Sequence, residues 1–410
     1  MPNCFAGTSG LARPSLVAAT FCLLATVTIP AAQALEAPSP ASLGRSIFHD
    51  ASLSASGQMS CASCHVPARA HAQSNTLAVQ AGGSNLDVAG FRAVPSLRYL
   101  NFDRPFFFEK DGTPTGGFNR DGRTDDLIEQ ARRPFLAPHE MANADAASVA
   151  EKLSHASYAD DFRQVFGADI FADVETTFLA AVFSVASFES TAPELRPFTS
   201  KFDLFLHGRL ILSTQELRGF ALFNRPDKGN CAGCHPSTRQ TDGSPPVFTD
   251  YTYDNLGVPR NPEIAANADP GYFDLGLCGP DRIDLAEQRD LCGQFKVPTL
   301  RNVATRQVWF HNGYFHSLKE ALHFYVERDT HPERWYPVDA AGVPDKFDDL
   351  PAPLRRNVNT QEPPYDRRPG QAPRLNDAEI DDVIAFLNTL TDGYDAATGT
   401  ADPGRDAVSP

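Results

Sequence analysis

Two cysteine motifs of the form C-x-x-C-H carry the clearest potential for chemistry in this chain. They comprise Cys61, Cys64 and His65, and Cys231, Cys234 and His235. Two thiols at this spacing can bond the two vinyl groups of one haem, and the adjacent histidine can then ligate its iron. A zinc site, a redox-active dithiol and chance occurrence are the alternatives. Two copies, each with its histidine, favour two covalently bound haem c groups, because neither alternative site requires the adjacent histidine.

The N-terminus has the pattern of a secretory signal peptide. Arg13 precedes an apolar run from Leu16 to Ile29, and a small-x-small sequence then ends at Ala34. A positive start, a short apolar stretch and small exit residues are typical of such signals. We therefore predict a signal peptide over residues 1–34 and a periplasmic location, with a retained N-terminal anchor as the alternative. No later stretch is apolar enough to cross a bilayer, so we expect no membrane span after the signal is removed.

Cys278 and Cys292 are the remaining cysteines after residue 34, and neither lies in a C-x-x-C-H motif. In an exported protein, a disulfide that closes the short loop between them is the default prediction. Metal binding by the pair is the alternative.

The composition is that of a globular protein with an acidic surface. The 410 residues are 42% hydrophobic and 21% charged, and the formal net charge is -15. Nucleic-acid binding requires a basic surface, so this charge argues against a nucleic-acid partner. An acidic surface instead suits a cationic protein partner. The 28 glycines and 33 prolines predict many irregular loops.

The elements that must position the haem motifs occur twice. A helical segment precedes each motif, at residues 43–48 and 217–223, and a V-P-[ST]-L-R segment follows each, at residues 94–98 and 297–301. Helical periodicity dominates over strand alternation, and Asn376 can cap a clear final helix. The pattern predicts a mainly α fold of two cytochrome c-like haem domains, packed together and joined by long irregular loops.

The boundary between the two domains is predicted at two prolines, Pro193 and Pro197, which interrupt the helical pattern. The N-terminal haem domain would cover residues 35–194 and the C-terminal haem domain residues 195–394. Residues 395–410 are polar and are predicted to form a flexible tail.

Together, these segments resemble those of the bacterial dihaem cytochrome c peroxidase/MauG family. The resemblance rests on the order of the two haem motifs, the repeated V-P-[ST]-L-R, D-G-R at 121–123 and F-H-N-G at 310–313. It covers the chain from about Leu43 to Tyr394. It implies that hydrogen peroxide meets the N-terminal haem and that the C-terminal haem handles electrons.

The resemblance also indicates the second ligand of the C-terminal iron. Members of the family use methionine or tyrosine there, and Tyr325 occupies the corresponding position. No methionine follows Met141, so a methionine ligand from this half of the chain is impossible. A phenolate stabilises Fe(III) and higher oxidation states and lowers the potential. The alternative is that Tyr325 is a buried structural residue and that His323 or another group binds the iron.

On the peroxide side, the resemblance places Gln130 and Glu140 in the pocket beside the N-terminal iron. Glu140 would take a proton from bound peroxide and return it to the leaving oxygen, and Gln130 would donate a hydrogen bond. A surface glutamate is the alternative for Glu140. Resting peroxidases of the family block this iron with a histidine that would fall near Gly82 and Gly83, and no histidine is there. We therefore expect an open or water-ligated N-terminal haem that needs no reductive activation.

Three positions between the two haems depart from the family pattern. Arg120 stands where the family has a tryptophan, Ala93 where it has an asparagine, and Arg306 where it has a threonine. These departures weaken the case for an inter-domain calcium ion and for efficient sharing of oxidising equivalents. One hypothesis is that Arg120 or Arg306 supplies the positive charge of calcium near the haem propionates, and two ordinary surface arginines are the alternative. His311 would tune a propionate or a proton path, or is an ordinary core or surface histidine.

These residues lead us to expect a peroxidase that reduces hydrogen peroxide to water with electrons from a small periplasmic cytochrome c or copper protein. The second hypothesis is MauG-like oxidation of side chains of a protein substrate, which Tyr325 favours and Arg120 disfavours. The third is a non-catalytic dihaem electron carrier with both irons closed. The pair Gln130 and Glu140 argues against that carrier.

Overall fold

The structure, a computed structural model, describes residues 37–406. The described residues from Pro38 to Asp406 belong to one compact unit. The predicted signal peptide and its cleavage site lie outside the described residues, as do residues 407–410. Within the described range, no helix is long and apolar enough to cross a membrane.

The fold is mainly α-helical, as predicted. The α-helices of the described chain are α1 (Pro40–His49), α2 (Cys61–Cys64), α3 (Leu127–Leu136), α4 (Ala146–Ser154), α5 (Ala159–Phe166), α6 (Val174–Thr191), α7 (Lys201–Leu206), α8 (Thr214–Asn224), α9 (Leu318–Glu327) and α10 (Asp377–Asn388). The strands pair as four antiparallel ribbons, namely β1 (Ala81–Gly82) with β2 (Val88–Ala89), β3 (Phe107–Phe108) with β4 (Pro114–Thr115), β5 (Tyr253–Asp254) with β6 (Phe295–Lys296), and β7 (Tyr394–Asp395) with β8 (Thr400–Ala401). Long irregular segments connect these elements.

Side-chain caps fix where the helices that carry the site begin. Asp126 caps α3 by accepting the N–H of Glu129, and Ser317 caps α9 by accepting the N–H of Glu320. Asn376 caps α10 in a reciprocal capping box, as its sequence indicated. Each cap satisfies an otherwise unpaired backbone donor and contributes about 1 kcal/mol.

Two pairs of helices cross at glycines, one pair in each half of the molecule. α1 crosses α6 at Gly44, and α8 crosses α10 at Gly219. A Cβ on Gly44 would overlap the carbonyl oxygen of Ser184, and a Cβ on Gly219 would overlap that of Asp382. Helix backbones can approach this closely only where a residue has no side chain. The two crossings are equivalent, so the duplication of the sequence is also a duplication of the packing.

Each half has its own hydrophobic core. We call the residues before 195 the N-terminal half and the others the C-terminal half. Phe135, Phe162 and Phe178 are buried together in the N-terminal half, and Phe202 and Phe386 are buried together in the C-terminal half. Full burial of a phenylalanine side chain contributes about 1.5–3 kcal/mol, so these clusters hold the crossed helices in place.

The two halves exchange a matched pair of backbone hydrogen bonds. The N–H of Ala93 donates to the carbonyl of His311 at 2.8 Å, and the N–H of Lys296 donates to the carbonyl of Arg120 at 2.9 Å. Ala93 and Lys296 each directly precede a V-P-[ST]-L-R segment. Each half therefore donates one equivalent hydrogen bond to the other half. We call the region around these two bonds, at Ala93, Arg120, Lys296 and His311, the seam. The predicted domain boundary falls in the short 3-10 helix Pro193–Leu195.

The C-terminal segment is ordered against the N-terminal half up to Asp406. β7 and β8 form a hairpin, and Pro403–Asp406 forms a 3-10 helix. Arg98 is buried, pairs with Asp392 at 3.0 Å and donates to the carbonyl of Pro403 at 2.7 Å. A buried arginine from a distant part of the chain therefore holds residues up to 406 of the predicted flexible tail, whereas residues 407–410 lie outside the described residues.

Candidate functional site

The first C-x-x-C-H motif is arranged as a haem site. Cys61 and Cys64 are the ends of the one-turn helix α2, and the N–H of His65 donates to the carbonyl of Cys61 at 2.8 Å. The Nδ1–H of His65 donates to the carbonyls of Pro95, at 3.1 Å, and of His71, at 3.3 Å. With Nδ1 as the donor, Nε2 keeps its lone pair for a metal. Burial lowers the pKa of His65 to about 4, which keeps the ring neutral.

The second motif repeats this geometry in the C-terminal half. The N–H of His235 donates to the carbonyl of Cys231, and the Nδ1–H of His235 donates to the carbonyl of Phe248, both at 2.8 Å. Burial lowers the pKa of His235 as well. Both motifs therefore present a neutral histidine with Nε2 available, which is what a proximal iron ligand requires.

The chemistry of the four thiols fits haem attachment better than zinc or redox chemistry. All four are free of disulfides and partly buried. Burial raises the pKa of Cys64 to about 11 and the pKa values of Cys231 and Cys234 to about 12. Dithiol redox chemistry requires a thiolate in the free protein, which this burial disfavours. Among the described residues, no group of three or more His, Cys, Asp or Glu is placed to hold a metal ion.

A cavity of about 710 Å³ adjoins the second motif and extends across the seam. His235 and Tyr325 line it together with apolar side chains such as Leu322 and Val383. On the other side of the seam it reaches Gln130. Cofactor pockets commonly have volumes of about 300–1,000 Å³, so the cavity can hold a haem-sized group beside His235.

The structure places Tyr325, and not His323, at this cavity. Burial and the neighbouring Cys231 raise the pKa of Tyr325, so only a bound cation would make its phenol a phenolate. His323 lies two residues earlier on α9 and does not line the cavity. Its ring nitrogens instead lie 3.1 Å from Glu327 and 3.1 Å from Asp377. The ring of His323 is therefore engaged by two carboxylates.

Helix α3 is the counterpart of α9 in the N-terminal half. Both helices have a capping residue that accepts the N–H of a glutamate three positions later, so Leu127 and Leu318 are equivalent first residues. In this register, Pro134 of α3 corresponds to Tyr325 of α9. Proline has no side-chain donor atom, so α3 offers no ligand where α9 offers a phenol.

Gln130 and Glu140 belong to α3 and the turn that follows it. Gln130 lines the cavity, and the backbone of Glu140 is fixed because its carbonyl accepts the N–H of Gly83 at 2.9 Å. Burial raises the pKa of the Glu140 carboxyl. Glu140 in turn helps to raise the pKa of Cys64, so its charge acts on the first haem motif. The carboxyl is therefore part of the surroundings of this motif.

Backbone packing explains the two glycines at the position considered for a blocking histidine. A Cβ on Gly82 would overlap the carbonyl oxygen of His139 and lie 2.6 Å from that of Glu140. Gly83 has a φ of +91°, in the left-handed region that favours glycine. A side chain at Gly82 would therefore displace the turn that carries Glu140.

Arg120 and Arg306 are at the seam and line the cavity. Arg120 donates to the carbonyl of Ala93 at 2.9 Å, and Arg306 donates to the carbonyls of Val94, at 2.8 Å, and of Val308, at 3.2 Å. Neither guanidinium forms an ion pair with a carboxylate among residues 37–406. Burial lowers their pKa values, to about 9 for Arg120 and about 10 for Arg306. Two desolvated cations that form no direct ion pair with a described carboxylate suit an anionic group in the cavity.

His311 is the counterpart of Arg120 across the seam. Bridges between Phe118 and Thr124 and between Trp309 and Phe315 set this register. His311 is buried, and its ring stacks on Phe295 at 3.6 Å. Its Nε2 has no hydrogen-bond partner among the described residues, although the carboxylate of Asp349 lies 3.8 Å away. The ring lines the same cavity as the two arginines.

An ion-pair network that no sequence pattern indicates surrounds the D-G-R turn. Arg92 pairs with Asp121 at 2.6 Å and with Asp274 at 2.6 Å. Arg123 pairs with Asp121 at 3.0 Å. The motif marked Asp121 and Arg123, but nothing in the sequence connects them with Asp274, which belongs to the other half.

The predicted disulfide between Cys278 and Cys292 is formed. Cys278 lies four residues after Asp274, so the bridge closes a loop that begins close to the ion-pair network.

Comparison with known proteins decides the family. The family model for di-haem cytochrome c peroxidase matches residues 38–210. The methylamine utilization protein MauG of Paracoccus denitrificans is 34% identical over 385 residues, which cover 89% of this chain and 93% of that protein. The chain belongs to the dihaem cytochrome c peroxidase/MauG family. It is a peroxidase-type oxidoreductase with two haem cofactors.

Two further relatives agree with this assignment. The cytochrome c551 peroxidase of Nitrosomonas europaea is 31% identical over 290 residues, covering 69% of this chain and 71% of that protein. The diheme peroxidase BthA of Burkholderia thailandensis is 38% identical and superposes with a TM-score of 0.79, over 89% of this chain and 90% of that one. The similarity extends over both halves of the chain.

Proposed function

We propose that this chain is a periplasmic dihaem c-type peroxidase that reduces hydrogen peroxide at the N-terminal haem with electrons passed through the C-terminal haem. The observation that carries the proposal is the difference between two matched helices, because α9 has Tyr325 where α3 has Pro134. His235 and Tyr325 would together hold one iron. His65 would hold the other iron, where Pro134 offers no ligand, and that iron would be accessible to peroxide.

The haem c groups would be held by the two motifs already described. Cys61 and Cys64 would form thioether bonds to one haem, and Cys231 and Cys234 would do so to the other. A bound haem supplies an iron that can accept peroxide and exchange electrons. The export signal in the sequence supports a periplasmic site for this attachment.

The chain itself would handle the protons of the reaction. Glu140 would accept a proton from one oxygen of the peroxide and deliver it to the other oxygen, which leaves as water. The amide N–H of Gln130 would donate a hydrogen bond to the peroxide. Two electrons and two further protons complete the reduction of one peroxide to two waters. The raised pKa of Glu140 suits a group that both takes and releases a proton.

The positively charged side chains at the seam would bind the haem propionates. Arg120 and Arg306 already donate to the carbonyls of Ala93, Val94 and Val308, so they bring positive charge to a place where a calcium ion would otherwise be needed. The unpartnered Nε2 of His311 would donate to the same anionic groups.

The electron donor would be a small cytochrome c or copper protein of cationic surface, given the net charge of -15. MauG-like oxidation of protein side chains is the second candidate, favoured by the 34% identity to MauG and by Tyr325 at the second haem motif. A dihaem electron carrier with both irons closed is disfavoured by Pro134.

The substitution Glu140→Gln tests the proposal. It removes the proton acceptor without a large change in volume, so the reaction of the oxidised holoprotein with peroxide should slow by about 10²–10⁴-fold. Stopped-flow absorbance at the haem bands measures the rate. The matched control is Glu151→Gln, an exposed carboxylate of α4, which should react like wild type. A wild-type rate in Glu140→Gln, with both haems attached, would contradict the assigned role.

A further inference from the structure

The V-P-[ST]-L-R segment is followed in both halves by a residue of the same unusual conformation. Tyr99 and Asn302 come directly after the two segments, with φ values of +68° and +60°. This left-handed region is uncommon for residues other than glycine, and least expected for a bulky one such as tyrosine. Each residue opens a short 3-10 helix, Leu100–Phe102 in one half and Val303–Thr305 in the other. The two segments therefore end in the same backbone turn.

Both turns bind one carboxylate, that of Asp392. The Tyr99 hydroxyl donates to its two oxygens at 2.7 and 2.9 Å, and the Asn302 side-chain amide donates to Oδ2 at 2.6 Å. Arg98 adds an ion pair from the N-terminal half at 3.0 Å, and the Asp392 N–H donates back to Asn302 Oδ1 at 2.9 Å. Asp392 is fully buried. It is therefore an acceptor shared by the two halves.

The arginine of the second segment is held in the same cluster. Arg301 binds the carboxylate of Asp203 through two hydrogen bonds, at 2.9 and 2.8 Å, and lies 3.9 Å from Asp392. Arg301, Arg98 and both carboxylates are buried. Removal of one partner of a buried ion pair leaves an uncompensated charge, so the cluster strongly favours a single arrangement of the two segments.

The first segment also holds the backbone that orients His65. It supplies one acceptor of the His65 Nδ1–H, the carbonyl of Pro95 at 3.1 Å. The N–H of Leu97 donates at 3.1 Å to the other acceptor, the carbonyl of His71. Both acceptors therefore depend on where this segment lies, and Arg98, the residue after Leu97, is the one that pairs with the shared carboxylate.

The hydroxyl of the segment makes the same two bonds in both halves. Ser96 Oγ donates to the carbonyl of Ala70 at 2.6 Å, and Thr299 Oγ1 donates to the carbonyl of Val247 at 2.5 Å. Each hydroxyl also accepts the N–H of the arginine of its own segment at 3.1 Å. Ala70 and Val247 each precede the residue whose carbonyl accepts the Nδ1–H of a haem-motif histidine. A displacement of either segment would therefore move that carbonyl.

We propose that Asp392 is a positioning residue for both haem sites, which holds the two V-P-[ST]-L-R segments in place and thereby fixes the carbonyls that orient His65 and His235. This inference rests on the proposed roles of the two histidines as iron ligands. The hydrogen bond from Nδ1–H raises the basicity of a histidine ligand, so its weakening lowers the electron donation to the iron. Removal of the Asp392 carboxylate should therefore raise both reduction potentials, and the loss of its negative charge acts in the same direction.

The test is Asp392→Asn in the holoprotein, examined by EPR spectroscopy of the oxidised form and by redox titration of both haems. An asparagine side chain has one acceptor oxygen in place of two, so it cannot accept from Arg98, Tyr99 and Asn302 together. We expect the EPR signals of both haems to shift and both potentials to rise. Wild-type signals and potentials in Asp392→Asn would overturn the proposal.

Two neutral substitutions separate positioning from charge, and they test the proposal even where Asp392→Asn does not fold. Tyr99→Phe removes the hydroxyl that donates to Asp392 and should shift the EPR signal of the N-terminal haem alone. Asn302→Gly keeps a residue suited to the left-handed conformation and should shift the signal of the C-terminal haem alone. Tyr158→Phe is the matched control, because it removes a hydroxyl that donates to Asp50, outside both segments, at 2.7 Å. Both signals should then remain as in wild type.

The variants His65→Ala and His235→Ala distinguish failure of this proposal from failure of the proposed ligation. If each alters the signal of its own haem while Tyr99→Phe and Asn302→Gly leave both signals unchanged, the role of Asp392 alone is overturned. If His65→Ala and His235→Ala themselves leave both signals unchanged, the histidines are not the ligands, and the role of Asp392 is overturned with them.

Discussion

The N-terminal and C-terminal halves share one frame and differ at a few side chains. In both, the histidine of the haem motif donates from Nδ1 to backbone carbonyls, two helices cross at a glycine, and the residue before a V-P-[ST]-L-R segment donates its N–H to the opposite half. The frame fixes where each haem motif lies. The halves differ at the equivalent position of helices α3 and α9, which is Pro134 in the N-terminal half and Tyr325 in the C-terminal half. One position of a duplicated helix can therefore assign different tasks to two similar sites.

Two buried positions sharpen the comparison. Phe188 and Phe386 occupy equivalent places at the helix crossings, so Glu189 of α6 corresponds to Leu387 of α10. His71 and Phe248 also correspond, because the carbonyl of each accepts the Nδ1–H of the proximal histidine. In both pairs the N-terminal half buries a titratable group where the C-terminal half buries an apolar one.

Among substitutions that copy one half into the other, the largest effect is expected when the ligand difference is removed. Pro134→Tyr gives α3 the phenol that α9 has at Tyr325, and we expect it to close the N-terminal iron and slow the reaction with peroxide. If the new phenol occupies the iron with a free energy of about 3 kcal/mol, the reaction with peroxide would slow about 100-fold, since 1.4 kcal/mol corresponds to a factor of ten. Stopped-flow kinetics and the spin state of the oxidised haem measure the effect. Pro134→Ala, which adds no ligand, is the control and should keep the fast reaction. Unchanged kinetics and spin state in Pro134→Tyr would break the comparison.

The next effect concerns stability and its pH dependence. Glu189 is 5% exposed, and its Oε2 has no hydrogen-bond partner among the described residues. Burial raises its pKa from 4.5 to about 8, so the folded state binds a proton that the unfolded state releases between these values. The associated stability is present below pH 4.5 and is lost as the pH rises to about 8.

Glu189→Leu copies Leu387 and should remove this dependence. The free energy of unfolding at pH 8 should rise by on the order of 3 kcal/mol, with little change at pH 5. Denaturant titrations of the holoprotein at the two pH values measure it, with the exposed Glu151→Gln as control. If Glu189→Leu changed the free energy of unfolding equally at both pH values, the buried charge of Glu189 would not be the cause of the change.

The smallest effect is expected at His71. This side chain is 1% exposed, and its Nδ1 has no partner among the described residues. His71→Phe copies Phe248, which has nearly the same φ, 56° against 54°. Removal of an unsatisfied buried nitrogen should stabilise the fold by about 1 kcal/mol at pH 7. Thermal unfolding measures this change in stability. The reverse substitution, Phe248→His, should destabilise the fold. A loss of stability in His71→Phe would mean that the two positions are not packed alike.

Local patterns in the sequence predicted the parts of this molecule that are local in space. The haem motifs, the cap at Asn376 and the mainly α fold follow from spacing and periodicity. The correspondence between Pro134 and Tyr325 could also have been predicted from the sequence, because the two helices begin with matching capped turns.

Contacts between distant segments could not be predicted in the same way. Asp392 and Tyr99 lie in different halves, and no periodicity brings them together. The same holds for Arg98 and Pro403, whose contact holds the C-terminal segment in place. Such pairs depend on how the duplicated halves pack, and one sequence alone does not encode that packing in a readable pattern.

The central claim is that the N-terminal iron is open and the C-terminal iron is closed by Tyr325. Its most direct test adds one equivalent of hydrogen peroxide to the fully oxidised holoprotein without reductant and follows the absorbance and EPR spectra. We predict an immediate change in which both haems respond. No change until one haem is reduced would contradict the claim, because a ligand would then have to block the first iron.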